Sequence, residues 1–533
     1  MSKAYTPVLI VGGGVVGLSS AVFLAWHGVP CTVIERHPDL LIHPRARGLT
    51  PRTMEIYRQV GLEPAIRKAA YAGEDFVWMP VMAETLSGEY SVPGEEFEDD
   101  GSSFSPTAFG PIDQDKLEVL LRDRARELGA DVRFSTELTS FEQDGEGVLA
   151  HLRTADGDST LRAGYLIAAD GFGSPIRQAL GIELDGPGVL FHTITAIVDA
   201  DLTPATRGRA VGTAYLQRPQ PFTIIMAHDN DGRRWVFGTG YDPEREAPES
   251  FSDERVAEMV RAAAGLPDVE VRLRPQVPGT DLKVLGFPIG AQLARRYRDG
   301  RVFLAGDAAH TWPPTGGLGA NAGIQDVHNL AWKLAEVVAE RAGDVLLDTY
   351  EAERRPAGML TLEQAMGRFG ARMGPGEGTE IIDYGAVTMG YQYRSSAVLG
   401  ATGDTAPVSP ADLDGSPGTR APHAVLGDGG STIDLYGRGF VLLAGPDGHG
   451  WLQAAESLGI KARRLGGEAA AAHGIDPAAA HGIDAAAAHG IDAAGALLVR
   501  PDGFVAWRNR GHGGDAAAEL NDAVRAVLGG TDR

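Results

Sequence analysis

The chain has 533 residues, 43 % hydrophobic and 22 % charged, which excludes a wholly disordered or collagen-like chain despite 71 glycines and calls for two or three packed domains. A total of 48 basic against 71 acidic side chains gives a net charge of −23, so neither nucleic acid nor an anionic membrane is expected as a partner. The single cysteine, Cys31, excludes an intrachain disulfide and suits a reducing cytoplasm, and no apolar run approaches the roughly 20 residues that span a bilayer.

The chain opens as a βαβ unit: an apolar strand at Val8–Val11, a glycine turn, a helix over Leu18–His27, a turn at Pro30 and a strand at Thr32–Glu35. Gly12-x-Gly14-x-x-Gly17 falls between strand and helix, where the backbone must turn tightly, approach a pyrophosphate and let the helix pack closely. Helix amides then face the phosphate charge. Glu35 ends the second strand, where a carboxylate accepts hydrogen bonds from a ribose diol. The plainer alternative is a glycine turn with a surface glutamate, and the strand–helix–strand context favours a dinucleotide.

Next comes a helix over Asp115–Leu128, with Leu117, Leu120, Leu121, Ala125 and Leu128 at helical spacing and Gly129 to stop it. An apolar strand then runs from Tyr165 into Asp170-Gly171, followed by Ser174 and Arg177. Alternating strands at Thr193–Ala200, Thr223–Ala227 and Arg234–Thr239 mark residues 184–290 as a sheet-rich substrate domain, joined by part of 70–113. The run Arg301-Val302-Phe303-Leu304-Ala305-Gly306-Asp307-Ala308-Ala309-His310 returns to nucleotide-domain character. Beyond Pro313-Pro314 and a glycine-rich turn, a helix from Asn321 to Arg341 carries Ile324, Val327, Leu330, Ala331 and Leu334 on one face. The first domain is therefore discontinuous, 1–183 and 291–400.

Residues 401–422 read as a linker rich in Pro, Gly, Asp and Ser, and 423–533 as a small α/β domain with strands Phe440–Ala444, Ala496–Val499 and Val505–Trp507. Asp502-Gly503 marks a hairpin turn, and without cysteine this domain has no thioredoxin-like redox role. The tetrapeptide His-Gly-Ile-Asp recurs at His473, His481 and His489, which reads as tandem copying in a tolerant surface loop; the intervening glycines leave no defined ligand geometry, so no metal is assigned.

The glycine fingerprint, the Asp170-Gly171 element and the Gly306-Asp307 element, in this order and spacing, resemble the class A flavoprotein monooxygenases of the para-hydroxybenzoate hydroxylase fold, over residues 1 to about 400. The length, the Tyr393-Arg394-Ser395-Ser396 stretch and the thioredoxin-like C-terminal domain are most similar to aromatic polyketide hydroxylases of anthracycline, angucycline and tetracenomycin pathways. The resemblance implies an α/β fold with a Rossmann-like FAD-binding domain, FAD as cofactor, NADPH or NADH as donor, molecular oxygen as co-substrate and a monomer or homodimer. It implies hydroxylation of a polycyclic aromatic polyketide from a flavin C4a-hydroperoxide.

Carried over residue by residue, it puts Asp307 on the ribityl hydroxyls, Glu35 with neighbouring Arg36 on the adenosine end, and Arg45 and Gln114, with help from Arg122, on the ribityl and phosphate region. Asp170 and Arg177 lie near FAD and the donor's path, or simply brace loops. The segment Pro314-Thr315-Gly316-Gly317-Leu318-Gly319-Ala320-Asn321 lets backbone approach the flavin ring, with the carbonyl of Pro314 facing the oxygen-transfer side. His310 and Trp312 are read as packing. Arg372 matches a position that favours a substrate phenolate. Phe191, His192, Tyr215, Phe222, Met226 and Phe237 form a pool of pocket candidates, of which strand alternation admits only half. Baeyer–Villiger or epoxidising chemistry, an antibiotic-inactivating oxygenase and a non-catalytic flavin-binding sensor stay open as alternatives. Halogenation is disfavoured because Trp-x-Trp-x-Ile-Pro is absent.

Overall fold

A computed structural model describes residues 4–42, 45–70, 80–91, 103–209, 211–228, 232–373, 379–466, 485–511 and 513–530. The first strand, Ala4–Val11, is flanked on both sides by parallel partners, Cys31–Ile34 and the end of Gly157–Ala168. Sandwiched between layers, Val8, Leu9 and Ile10 lose all exposure, which is why this strand reads as a continuous apolar run instead of an alternating one. Val302–Leu304 pairs parallel with Gly157–Ala168, and Asp131–Arg133 with Cys31–Ile34, completing the parallel centre of an eight-stranded sheet.

The register has a direct consequence for function. Val11 lies opposite both Ile34 and Ala168, and Ala168 lies opposite Leu304. Four strands therefore end level, and the chain leaves them at Gly12, Glu35, Ala169 and Ala305 into one crevice, the place where open parallel sheets hold ligands.

The first helix starts at Val15, three residues before its expected start, because Gly17 is a helical residue and not part of the turn. The helix expected from Asn321 begins at Leu318, capped by Gly317 in the left-handed region at φ 65°. In both places glycines disguise helical turns, since they carry no side chain to show a periodicity. A 29-residue helix, Val345–Met373, continues through Pro356 and runs past the crevice toward the second sheet.

That second sheet collects Val81–Ala83, Leu184–Asp199, Thr213–Leu216, Thr223–Ala227, Arg234–Tyr241, Arg272–Arg274, Val284–Ala294 and His310–Thr311. One face carries Ala196, Ala214, Ile225 and Phe237 in register and buries them under helix Asp253–Ala264. The other face carries Thr195, Tyr215, Ile224, Met226 and Gly238. His310–Thr311 joins the edge of this sheet a few residues after Asp307, so the two sheets are tied together at the crevice.

The third sheet, Lys461–Arg464, Val441–Ala444, Ala496–Val499 and Val505–Asn509, has one parallel pair followed by two antiparallel pairs. Gly503, at φ 80°, makes the expected hairpin turn. Residues 401–422 are irregular apart from a short turn at Pro410–Asp412, yet their end is packed: Arg420 is buried, and Gly418 and Ala421 donate backbone hydrogen bonds to Val505 and Gly503. The repeats at His473 and His481 lie outside the described residues. His489 does not sit on the surface; it is fully buried, with Nδ1 2.7 Å from the Ala485 carbonyl. No group of three or more metal-ligating side chains occurs among the described residues, and no described helix is long and apolar enough to cross a membrane.

Candidate functional site

The crevice begins with two glycines whose missing side chains are geometric necessities. A Cβ on Gly12, which has φ 111°, would lie 2.1 Å from the Ala169 carbonyl oxygen, and one on Gly17 would lie 1.9 Å from that of Gly12. Gly14 caps the first helix, whose N-terminus opens onto the crevice. Glu35 accepts the Gly13 amide on Oε2 at 2.7 Å and the His37 amide on Oε1 at 2.8 Å. Oε1 also lies 2.6 Å from His37 Nδ1, so Oε2 is the oxygen that keeps capacity for a second donor such as a ribose hydroxyl. Arg36 is exposed and, with His37, Ser135, Glu137, Arg153 and Thr154, lines a cavity of about 350 Å³ beyond Glu35.

Gln114 is the first residue of helix Gln114–Glu127. Its Oε1 accepts the Ala46 amide at 3.1 Å, its own amide donates to the Ala46 carbonyl at 2.8 Å, and its Nε2 donates to Glu118 at 2.7 Å. It thereby pins the segment after Arg45 over the crevice. Arg45 makes no hydrogen bond or ion pair among the described residues, but its charge acts on both Asp307 and Glu118. Arg122, by contrast, is engaged by Asp123 at 2.9 Å and Asp39 at 3.6 Å.

Asp307 follows Gly306, whose amide donates to Asp326 at 3.2 Å. Its carboxylate accepts no hydrogen bond from the described residues. It remains in contact with solvent, but the crevice walls shield it and push its carboxyl up, while Arg45 and His310 partly offset the shift. An acceptor held without a donor, beside an unpaired arginine and a phosphate-sized glycine turn, suits a ligand bearing several hydroxyls and a diphosphate, as FAD does.

Asp170 is occupied locally, accepting from Ser174 Oγ at 2.7 Å and the Ile176 amide at 3.1 Å, and burial raises its carboxyl. Arg177 donates to the carbonyls of Ala308 at 2.9 Å and Phe172 at 3.2 Å. Arg177 thus braces the turn holding Asp307, while Asp170 braces the loop that leads into Arg177. His310 and Trp312 stack in parallel at 4.4 Å, and His310 Nε2 lies 2.7 Å from Asp326. Burial alone would raise Asp326, but His310 and Arg354 on either side hold it below the usual range.

At the far end, Pro314 is exposed and its carbonyl accepts the Gly317 amide at 3.2 Å, closing a turn that also holds Gly316 at φ 88°. Gly319 lies in the first turn of the following helix. Asn321 is spent on the backbone: Oδ1 accepts from Thr50 at 2.9 Å, and Nδ2 donates to Gly317 at 2.9 Å and Gly48 at 3.2 Å. It laces the two loops together. Arg372 is buried at the end of the long helix, its guanidinium 5.7 Å from the Tyr215 ring centre. Of the aromatic pool, Phe191, Tyr215 and Met226 lie on the open sheet face and Phe222 in the turn before Thr223. His192, against Tyr241, and Phe237 belong to the helix-covered face.

Sequence reasoning missed three groups. Glu118 is buried one helical turn after Gln114, near Gly14, and burial lifts its carboxyl to about 7 against a hydrogen bond from Gln114 and the charge of Arg45. Asp113 is buried between Arg47, at 2.9 Å, and His228, at 3.1 Å, tying the Arg45 segment to the second sheet. Phe369, on the long helix, stacks with Phe191 and Phe222. The spacing of Glu118 from Gln114 was the one available signal; the rest depend on contacts remote in sequence.

The FAD binding domain family matches residues 5–365, and the family described as aromatic-ring hydroxylase, C-terminal, matches 414–531. The chain is 41 % identical to the tetracenomycin A2 monooxygenase-dioxygenase of Streptomyces glaucescens, covering 100 % of this chain and 98 % of the relative. It is 42 % identical to the 4-methyl-5-nitrocatechol 5-monooxygenase of a Burkholderia species, covering 98 % and 97 %. A solved aklavinone-11 hydroxylase, in ternary complex with FAD and aklavinone, superposes with a TM-score of 0.89 at 39 % identity, covering 99 % of this chain and 100 % of that one. With the crevice, the level strand ends and these matches together, the chain belongs to the FAD-dependent aromatic-ring hydroxylases, the class A flavoprotein monooxygenases.

Proposed function

We infer that this enzyme hydroxylates a polycyclic aromatic polyketide at a phenolic ring, using NADPH or NADH and molecular oxygen. The observation that carries the reading is the convergence of Gly12, Glu35 and Asp307 on one crevice that adjoins the open, aromatic-rich face of the second sheet. Bound FAD supplies the acceptance of hydride and the activation of oxygen. The protein's residues do the rest. Amides of the Gly12–Gly14 turn and of the helix N-terminus that follows it would meet the diphosphate, Glu35 would hold the adenosine ribose, and Asp307, Gln114 and Arg45 would hold the ribityl and phosphate region. The N-terminus of helix Leu318–Val338, with the bare backbone of Gly316 and Gly317, offers positive potential to a ring that carries negative charge when reduced. Arg372 favours the ionised form of the substrate phenol, which enriches the carbon to be attacked, and the apolar face beside it excludes water.

Relatives named for tetracenomycin and aklavinone chemistry, together with the ternary complex of FAD and aklavinone, support the polycyclic substrate. A single-ring phenol is the second reading, favoured by the relative named for a nitrocatechol. Dependence on a nicotinamide donor and the lone, buried Cys31 fit a cytoplasmic enzyme.

The test is a panel assay. Purified protein should be yellow, should oxidise NAD(P)H faster when a tetracyclic phenol is added, and should yield a product heavier by one oxygen with every ring intact. A product with an inserted ring oxygen would instead assign Baeyer–Villiger chemistry, and a colourless protein would overturn the reading.

A further inference from the structure

Three phenylalanines from three elements stack on one another. Phe191, on strand Leu184–Asp199, lies 5.4 Å from Phe222 and 5.9 Å from Phe369 between ring centres, and Phe222 lies 6.4 Å from Phe369. Their planes differ by 27°, 12° and 15°. These are offset-stacking distances, and all three pairs take the near-parallel geometry where edge-to-face packing is equally open.

Core packing does not account for the trio. None of the three rings belongs to a hydrophobic core cluster, and each retains partial exposure. Phe222 also has φ 66°, a backbone conformation that a bulky side chain takes only where its surroundings over-determine it. Here they do. Gln220 Nε2 donates to Thr239 Oγ1 at 2.9 Å and to the Gly240 carbonyl at 2.5 Å. Thr223 Oγ1 donates to the Gln220 carbonyl at 2.7 Å and lies 3.1 Å from Thr239 Oγ1. The turn is stapled to the neighbouring strand, and the ring is aimed in advance.

The direction matters because of Arg372. Phe369 precedes it by three residues on the same helix, so both project from one face toward the second sheet. Phe369 meets Phe191 and Phe222 there, and Arg372 meets Tyr215. A flat aromatic wall and a cation thus flank the same sheet face. A planar fused-ring phenol matches both: its phenolate reaches the arginine while its remaining rings extend the stack. A single ring satisfies the arginine and leaves the wall uncovered.

We propose that Phe191, Phe222 and Phe369 form a preorganised stacking wall that selects planar fused-ring phenols over single-ring ones. The proposal rests on the aromatic-oxygenase reading of the site and adds the element that sets ring count. Apolar pockets discriminate by modest factors, so the expected effect of shortening the wall by one ring is about tenfold.

The experiment uses the FAD-loaded enzyme and the variants F222L and F369L, with a hydroxylated naphthacenequinone and a single-ring catechol as probes. The ratio of kcat/KM for the tetracyclic over the single-ring probe should fall about tenfold in each variant. A ratio unchanged from the parent enzyme overturns the proposal. If F222L does not fold, F369L alone decides, since its backbone is ordinary helix. If the parent enzyme binds the naphthacenequinone, seen as a perturbed flavin absorbance, yet forms no oxygenated product, the oxygenase reading fails. The wall is then judged by the same ratio in dissociation constants, with the same two outcomes.

Discussion

Arg500, from the C-terminal sheet, donates to both oxygens of Glu353 on the long helix, at 2.6 and 2.8 Å, and both side chains are fully buried. Lys333 joins from helix Leu318–Val338 at 2.7 Å, and Asp502 holds Arg500 from the other side at 2.5 Å. Asp502 also accepts from the indole of Trp332 at 3.1 Å, and its carbonyl accepts from Arg52 at 2.5 Å. Arg52 and Arg420 both bind Glu55. The C-terminal unit is therefore locked by buried charge to helix Pro51–Gln59 and helix Leu318–Val338, whose preceding loops Asn321 laces over the crevice.

Breaking this lock from one side leaves a buried charge unpaired. R500M should destabilise the protein by on the order of 3–5 kcal/mol, whereas breaking an exposed, solvent-screened pair such as Arg153–Asp158 should leave stability nearly unchanged. Burial would raise Glu353, but Arg500 and Lys333 hold it far below 4.5. A depressed acid contributes stability that is present above its unfolded value and lost as pH falls below about 4.5. Denaturant midpoints against pH, for the parent and R500M, check both statements; a parent curve flat down to acid pH would contradict the second.

Glu118 works in the opposite sense. Its carboxyl, lifted to about 7, keeps its proton in the folded state where the unfolded chain has released it, so stability falls as pH rises from 4.5 through about 7. The effect is on the order of 3 kcal/mol at about 1.4 kcal/mol per unit. A diphosphate bound over the Gly12–Gly14 turn would favour the neutral form of Glu118, which lies near Gly14, so the dissociation constant for FAD should rise above pH 7 by as much as about tenfold per unit. E118Q should flatten that slope, measured by flavin fluorescence on titration; parallel slopes in parent and variant would argue that Glu118 keeps clear of the cofactor.

Gly12 and Gly17 have no room for a side chain. G17A forces backbone apart at 1.9 Å and should give protein without bound flavin, destabilised by roughly 1–3 kcal/mol. Gly28 has φ 80° but open space around it, so G28A should cost about 1–2 kcal/mol and stay yellow. Absorbance ratios of purified proteins distinguish the two.

Arg372 should reveal itself in a pH profile. A cation beside the phenol lowers its pKa, so in R372M the acidic limb of kcat/KM should move up by about one unit, with partial recovery of rate at alkaline pH. A uniform loss at every pH would mean that Arg372 supports packing against Tyr215 and nothing more.

Much of this was legible in the order of residues alone. Gly12, Gly14, Gly17 and Glu35 announce a dinucleotide crevice because only glycine permits backbone atoms to approach so closely, and a bare backbone is visible in any sequence. The strand at Thr223–Ala227 lies where its alternating pattern put it, since half-burial on a pleated sheet imposes a period of two, and Ala496–Val499 lies where its continuous apolar run put it, buried on both faces. The same logic failed at Leu318 and Val15, where glycine hides helical turns.

What the tertiary structure decided is partnership. Periodicity reports that a side chain is buried, not what it meets. Arg500 and Glu353 stand 147 residues apart, Arg420 and Glu55 365 apart, and neither pair leaves a trace in local pattern. Strand alternation admitted half of Phe191, His192, Tyr215, Phe222, Met226 and Phe237 to the open face, but only the register with neighbouring strands chose which half. The local chain carries its own geometry; distant segments acquire chemistry only when folding brings their charges and rings within a few ångströms, where Coulomb and dispersion forces become strong enough to matter.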